Sequence, residues 1–245
     1  HYVEAYVATG SLPADAYDRL IAEVAKIGSD FEMRNALGVI YETQQPRGEK
    51  LADLIVVADA IGSDFELRQF LGNLAKDAIA DESVMAAYAK AAEGIGSDFE
   101  LRQALEALME AGGGPRAVEY AMSVAKGIGS DFEMRSLLEE AAPSAARDED
   151  AANAWLQAAA SIGSDFELRQ ALVELASNRP ESSATWEALL LAARRIDSDH
   201  ECSALLLDAA DYMPDDPGVK EAFRSVMETI GSDSDYRRVA KALGR

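Results

Sequence analysis

The sequence is poor in the side chains on which enzymes and metal sites depend. It contains a single cysteine, Cys202, and two histidines, His1 and His200, in 245 residues. One cysteine excludes an intrachain disulfide and a thiolate metal cluster built by this chain alone. The HExxH, GxSxG, GxGxxG, CxxC and P-loop signatures are missing as well. We therefore expect no enzymatic activity, no cofactor and no metal site.

Aromatic residues and long apolar runs are also scarce. Phe, Trp and Tyr together make up 7% of the chain, although hydrophobic residues of all kinds make up 49%. This balance favours helices that pack closely through small side chains over a β-rich core. No apolar run approaches the roughly 20 residues that span a bilayer, so we expect no direct membrane insertion by this chain.

Basic residues are few relative to acidic ones. The chain has 23 lysines and arginines against 44 aspartates and glutamates, which gives a formal net charge of −21. A surface of this sign repels phosphate backbones within the screening length, so we expect no nucleic-acid partner. Two interpretations of the charge stay open: a soluble, self-repelling surface, or a surface for a partner with basic character.

What the sequence does contain is a repeat. The string I-G-S-D-F-E recurs, with variations in the last two copies, and the spacing is 34 residues except for one gap of 33 between Ile95 and Ile128. Its isoleucines are Ile27, Ile61, Ile95, Ile128, Ile162, Ile196 and Ile230. A fixed period of this length is typical of proteins built from stacked two-helix units.

Apolar residues at helical spacing flank each copy of the motif. The first unit has Tyr17, Ile21 and Val24 before the motif (helix A), and Met33, Leu37 and Ile40 from its end onward (helix B). We predict an all-α fold, a right-handed α-α superhelix (solenoid) of seven two-helix 34-residue repeats over residues 13–245. Residues 1–12 are expected to be a partial helix or N-terminal remnant.

The last unit has polar residues where earlier units are apolar. Lys220 and Arg224 replace the residues equivalent to Tyr17 and Ile21. This change is expected of a terminal repeat that faces water, so we expect the chain to be a monomer.

The motif itself has a structural interpretation. We expect Gly28 to end helix A in the left-handed conformation, and Ser29 to cap helix B while Glu32 reaches back to the serine amide, forming a capping box. The helix dipole would favour the negative charge of Asp30 in the first turn of helix B. Arg34, four residues later, would form ion pairs within or between repeats. A row of such carboxylates holding calcium or a basic ligand is the alternative interpretation, and it lacks the compact oxygen-rich loop that calcium needs.

Four less common residues are also interpreted as packing residues. His200 occupies the position of Phe31 in the sixth repeat, and Cys202 occupies the position of Met33. Trp155 and Trp186 fall at apolar positions of helix A. We expect His200 to report relaxed packing, Cys202 to be a buried thiol, and both tryptophans to lie in the core.

Polar residues of helix B outside the core pattern are the candidate partner-binding site. They form an acidic and carboxamide-bearing surface that suits hydrogen bonds and cationic side chains. The candidates are Asn35, Gln69, Asn73, Gln103, Glu106, Glu110, Glu139, Glu140, Glu174 and Asp208. We expect a non-catalytic repeat scaffold that binds a protein or peptide partner; the alternative is a structural or sensor/spacer region of a larger, membrane-anchored bacterial protein.

The repeat resembles known families in two ways. Its length and two-helix form resemble HEAT and tetratricopeptide repeats, although the Trp, Leu-Gly and Tyr signature of the tetratricopeptide family is absent. The I-G-S-D-F-E consensus also resembles I-x-S-D-Y/F-E repeats in the non-catalytic part of BlaR1-type bacterial membrane metallopeptidases. That resemblance implies a sensor or interaction region attached to a membrane-anchored domain, and it transfers no catalytic residue because the zinc-binding helix is not in this chain.

Overall fold

A computed structural model describes Gly10 and residues 12–243. Within that part of the chain, the regular elements are fourteen α-helices and one 3₁₀ turn, with no strand. The predicted all-α repeat fold is therefore confirmed. The N-terminal remnant expected for residues 1–12 lies almost entirely outside the described residues.

Each repeat contributes one helix A and one helix B. The A helices are α1 (Ala14–Val24), α3 (Glu49–Ala58), α5 (Glu82–Ala92), α7 (Gly114–Ala125), α9 (Glu149–Ala159), α11 (Ser183–Ala192) and α13 (Pro217–Met227). The B helices are α2 (Asp30–Gln44), α4 (Asp64–Ala78), α6 (Asp98–Glu110), α8 (Asp131–Ala145), α10 (Asp165–Ser177), α12 (Asp199–Ala210) and α14 (Asp233–Leu243). The 3₁₀ turn, Ala193–Arg195, follows α11.

The chain divides into two compact units, His1–Gly113 and Gly114–Arg245. In each unit the A helices pack against A helices of neighbouring repeats, and the B helices pack against B helices, so that each unit has two helical layers. The boundary falls at the triple glycine, where Gly112 and Gly114 have φ angles of 100° and 58°. Side chains other than glycine rarely tolerate these angles, which explains the residue type at the boundary.

The core of each unit lies between its two layers. Leu51, Leu54 and Ile55 of α3 are completely buried, as the helical spacing predicts. Trp155 and Trp186 are also buried, which confirms them as core residues. The Trp155 Nε1 donates to the Leu138 carbonyl at 2.8 Å and the Trp186 Nε1 donates to the Pro180 carbonyl at 2.9 Å, so burial leaves neither indole N–H without a partner.

One proline lies inside a helix. Proline commonly ends helices, yet Pro143 lies inside α8, which continues to Ala145. A proline this close to a helix end removes a single hydrogen bond from the last turn, and Pro143 is exposed. None of the helices within residues 12–243 is both long and apolar enough to cross a bilayer.

Serine caps begin most of the B helices, and their contribution is measurable. Replacing Ser97 by alanine is expected to lower the free energy of unfolding by about 0.5–2 kcal/mol, because its Oγ accepts the Glu100 amide at 3.4 Å. Ser232, which caps α14 by accepting the Asp235 amide, is expected to contribute less because α14 packs against a single neighbouring repeat. Thermal denaturation of the two variants measures the difference, and equal decreases in Tm would contradict it.

Candidate functional site

The motif aspartate connects one repeat to the next. The Asp64 carboxylate accepts from the Gly96 amide at 3.1 Å and from the Ser97 amide at 2.8 Å. Asp131 accepts in the same way from the amides of Gly163 and Ser164, at 3.0 and 2.8 Å. Amides that precede a helix have no partner within it, and here the preceding repeat supplies one. The aspartate thus acts through specific contacts as well as through the helix dipole.

The motif arginine makes a second contact between the same repeats. Arg68 Nε lies 2.7 Å from Glu100 Oε2, and Arg169 Nε lies 2.5 Å from Glu201 Oε2. Arg34 pairs with Glu66, and Arg135 with Glu167, in the same geometry. The prediction of ion pairs between repeats is confirmed. We call the aspartate–amide and arginine–glutamate contacts together the inter-repeat joint.

The contacts of the inter-repeat joint show that one half of the predicted capping box is right and the other half is wrong. The serine half is confirmed, since the Ser63 Oγ accepts the Glu66 amide at 3.4 Å. The glutamate half is wrong where the serine amide is seen to donate elsewhere: the amide of Ser164 donates to Asp131 of the preceding repeat, and the Glu167 carboxylate engages Arg135. Charge-assisted contacts between repeats replace a local contact within one.

The predicted role of the motif glycine is also wrong. The described glycines with positive φ are Gly10, Gly48, Gly112 and Gly114, and none of them belongs to the motif. Helix A ends instead with a tightened last turn, as where the Ile61 amide donates to the Ala58 carbonyl at 2.9 Å. Asp197 occupies the glycine position in the sixth repeat and still donates its amide to Asp165, which shows that the position needs an N–H more than it needs glycine.

The motif phenylalanines are surface residues. The rings of the first five repeats are between 48% and 53% exposed, and the members are Phe31, Phe65, Phe99, Phe132 and Phe166. The motif arginine of the same helix lies over each ring, with Cζ 5.0–5.4 Å from the ring centroid. His200 is exposed at the equivalent position, so its interpretation as a packing residue is wrong.

These rings begin a stripe of residues that faces away from the core. Starting at the phenylalanine, the stripe takes positions i, i+4, i+7 and i+11 of helix B, which lie on one side of a helix. We call this set the outer stripe. It comprises Phe31, Asn35, Gly38 and Glu42 in α2; Phe65, Gln69, Gly72 and Lys76 in α4; Phe99, Gln103, Glu106 and Glu110 in α6; Phe132, Ser136, Glu139 and Pro143 in α8; and Phe166, Gln170, Val173 and Ser177 in α10.

Most of the predicted partner-binding residues fall on this stripe. Six of them are members, namely Asn35, Gln69, Gln103, Glu106, Glu110 and Glu139. The other four, Asn73, Glu140, Glu174 and Asp208, lie one residue further round helix B, at i+8. The sequence therefore identified the polar part of this surface, and its aromatic part was missed.

Several of the predicted residues already have partners within the chain. Glu106 lies 2.5 Å from Arg102, and Glu139 lies 2.5 Å from Arg135. The Glu174 carboxylate accepts from Asn178 at 3.0 Å. By contrast, the carboxamides of Asn35 and Gln69 make no hydrogen bond with any group in residues 12–243. They remain able to bind a ligand without losing an existing contact.

Two glycines interrupt helix B on the outer stripe. Gly38 and Gly72 lie at i+7 in α2 and α4, and a Cβ added to either would meet no other element of the described chain within 4 Å. Glycine inside a helix costs about 0.5–1 kcal/mol relative to alanine. Packing within residues 12–243 therefore gives no reason for glycine at these two positions.

Reactive groups do not converge elsewhere on the described surface. Residues 12–243 hold no group of three or more His, Cys, Asp or Glu side chains placed to bind a metal ion. Burial raises the pKa of the Cys202 thiol, which is a core residue as expected. A cavity of about 250 Å³ beside α2 is lined by Tyr41, Glu42, Gln45, Arg47 and Asp77. There the Asp77 carboxylate accepts from Tyr41 and from Arg47, each at 2.5 Å.

That cavity holds no activated nucleophile or base. Burial, together with the hydrogen bond to Asp77, raises the pKa of Tyr41 to about 12. A phenol with this pKa stays protonated at neutral pH, and its partner carboxylate is already held by two donors. The outer stripe is therefore the better candidate for a functional surface.

Comparisons with known proteins assign the chain to no family. No family model matches the chain, and no curated protein is significantly similar to it. One solved structure, from the computational design of self-assembling cyclic protein homooligomers, aligns with 99% of this chain and 92% of its own. Its sequence identity is 13% and its TM-score is 0.20, so this match carries no argument about fold or assembly. What stands is a repeated all-helical array with contacts between neighbouring helices.

Proposed function

We propose that the chain is a non-catalytic repeat scaffold that binds a protein or peptide partner through the outer stripe. The observation that carries this proposal is the set of half-exposed phenylalanines in each unit, each at the same position of its repeat and each followed one turn later by a polar residue. Aromatic residues are enriched at protein interfaces, because they bury a large area at little cost in side-chain entropy.

The charge of the chain supports a partner with basic character. The net charge of −21 attracts cationic chains over several ångströms and raises their association rate. The exposed Glu110 and Glu140 make no hydrogen bond or ion pair within residues 12–243, so both are able to meet a basic side chain.

A structural or spacer role in a larger, membrane-anchored protein is the second candidate. It is favoured by the inter-repeat joint, since the arginine over each phenylalanine is also the arginine of the joint. In this interpretation the ring serves to hold the guanidinium in place for the glutamate of the next repeat. The two candidates differ in whether removal of the rings affects binding.

Peptide selection tests the first candidate. Random twelve-residue peptides displayed on phage would be selected on the immobilised chain, and the enriched peptides measured by fluorescence anisotropy. We expect peptides containing apolar residues together with lysine or arginine, and an affinity loss of about tenfold or more in the Phe31→Ser, Phe65→Ser, Phe99→Ser triple variant. Val56→Ser is the matched control, because Val56 is an exposed apolar residue outside the stripe.

Charge reversal completes the test. Glu106 and Glu139 are unsuitable for reversal because each is paired with an arginine, whereas Glu110→Lys and Glu140→Lys change unpaired surface groups. We expect this double variant to associate more slowly at low salt and to approach the wild type at high salt. The spacer role would be favoured if selection yields no binding peptide. It would also be favoured if the selected peptides bind the triple variant with the same affinity as the wild type.

A further inference from the structure

We infer that the outer stripe of the first unit binds an extended peptide in the polyproline II conformation, with an apolar side chain at every third position and basic residues between. The inference rests on the proposed function and names the class of its ligand. The contacting residues are Phe31, Asn35 and Gly38 of α2, and Phe65, Gln69 and Gly72 of α4. Phe99 and Gln103 of α6 extend the site by one repeat.

The spacing of the repeats selects the peptide conformation. Packed helices lie about 8–10 Å apart, so equivalent rings on α2, α4 and α6 are expected to recur at about that distance. A polyproline II helix has three residues per turn and rises about 3.1 Å per residue, so every third side chain returns to one side after about 9.3 Å. A β-strand presents alternate side chains to one side, about 6.5–7 Å apart, and does not match.

The side chains of the stripe suit the chemistry of such a peptide. A polyproline II chain has no internal hydrogen bonds, and aromatic grooves are the usual surfaces on which it docks. The half-exposed Phe31 and Phe65 rings provide apolar contact for the every-third side chain. The unpaired carboxamides of Asn35 and Gln69 each carry a donor and an acceptor for the peptide backbone.

The two glycines are a second, independent sign that a ligand approaches closely. Gly38 and Gly72 face open space in the described part of the structure, so neither is required by packing among residues 12–243. Glycine is used where another backbone must come near a helix, because the missing Cβ leaves room for it. Gly38 and Gly72 each lie one turn beyond a carboxamide on the same stripe, where a peptide hydrogen-bonded to Asn35 and Gln69 would pass.

Charge complementarity indicates which residues the peptide should carry between its apolar positions. The exposed Glu42 and Glu110 lie at i+11 of the stripe in the first and third repeats, on either side of Lys76 in the second. Together with the net charge of −21, they favour a peptide whose intervening residues are lysine or arginine. Proline at the remaining positions would reduce the entropy lost on binding.

The test compares two labelled peptides of identical composition on the full chain. One has four copies of Leu-Pro-Lys, which places leucine at every third position. The other has the same residues rearranged so that the leucines fall at every second position. We expect fluorescence anisotropy to give a Kd at least about tenfold lower for the first peptide, a difference of about 1.4 kcal/mol.

Single substitutions then locate the site. We expect Gln69→Ala to weaken binding of the Leu-Pro-Lys peptide about threefold to tenfold, and Gln157→Ala, an exposed glutamine of α9, to leave its Kd unchanged. Gly72→Ala gives the sharper result: alanine favours the helix and should raise Tm, while its methyl group should weaken peptide binding by a similar factor. If Gly72 affects only the stability of the helix, Gly72→Ala should raise Tm and leave the Kd of the peptide unchanged.

Two results would overturn the inference. One is equal affinity for the two peptides, which would remove the argument from spacing. The other is an unchanged Kd in both Gln69→Ala and Gly72→Ala, which would place the peptide elsewhere. Failure of the proposed function is a separate outcome, recognised when phage selection on the same chain yields no ligand; selected peptides without a three-residue period would overturn the inference alone.

Discussion

Replacement of Trp155 by alanine is expected to lower the free energy of unfolding of the second unit by about 3–5 kcal/mol. The side chain is completely buried in α9, and its removal leaves a cavity that the surrounding helices can fill only in part. The variant also loses the hydrogen bond that Nε1 donates to the Leu138 carbonyl of α8. Urea denaturation followed by circular dichroism measures the loss.

Leu191→Ala is the matched control for this experiment. Leu191 belongs to the same unit but its side chain is 47% exposed, so its truncation is expected to change stability by less than about 0.5 kcal/mol. Because both tryptophans lie in the second unit, tryptophan fluorescence of the control reports the unfolding of that unit alone. Similar losses in the two variants would mean that Trp155 does not anchor the core.

Replacement of Asp131 by alanine is expected to lower the free energy of unfolding by about 2–4 kcal/mol. Each hydrogen bond to a charged group contributes about 1.5–3 kcal/mol, and Asp131 accepts two, from the amides of Gly163 and Ser164. Partial exposure of the carboxylate reduces the sum, since water competes for the same amides. Chemical denaturation of the variant gives the value.

Asp150→Ala separates the joint from the helix dipole. Asp150 lies in the first turn of α9, is exposed, and its carboxylate makes no contact with a neighbouring repeat within residues 12–243. Its removal is expected to cost only the dipole contribution, about 0.3–1 kcal/mol. If the two variants lost equal stability, the contacts between repeats would contribute nothing beyond the charge at a helix start.

Much of the fold could be predicted because its signals are periodic. The apolar spacing around Leu51, Leu54 and Ile55 identifies both the helix and its buried side, and these three residues are fully buried. The division into two units could not be predicted in the same way. The triple glycine lies at the boundary, but Gly48, between the first two repeats, also has a positive φ angle, so glycine in a connecting loop does not by itself mark the division.

The candidate site could be predicted in its polar part and was missed in its aromatic part. The interpretation of His200 as a packing residue treated the phenylalanine position of the motif as part of the core. Helical geometry contradicts this, because Phe31 precedes Met33 by two residues, or about 200° around the helix, and so faces away from the side on which Met33, Leu37 and Ile40 are buried. That angle is the signal that identifies the exposed row from sequence.

The aspartate–amide contacts of the inter-repeat joint could not be predicted from the sequence, for a different reason. Asp64 and Glu66 satisfy local rules for helix starts, so the sequence supplies a sufficient local explanation for each. Their additional partners lie 32 or 33 residues away, as for Asp64 with Ser97 and Arg34 with Glu66. Contacts at this separation depend on how repeats pack, which no local pattern encodes.

The inter-repeat joint has a consequence for how a chain of this kind lengthens. Each of the first five copies of the motif carries the residues of both halves of a joint: Asp131 and Arg135 point toward the following repeat, while Gly163, Ser164 and Glu167 receive them. Duplication of one of these 34-residue segments as a whole therefore creates a new joint without changing either neighbour. Insertion of part of a segment would separate the halves. Growth by gene duplication is thus favoured in steps of one complete repeat, while residues outside the motif stay free to diverge.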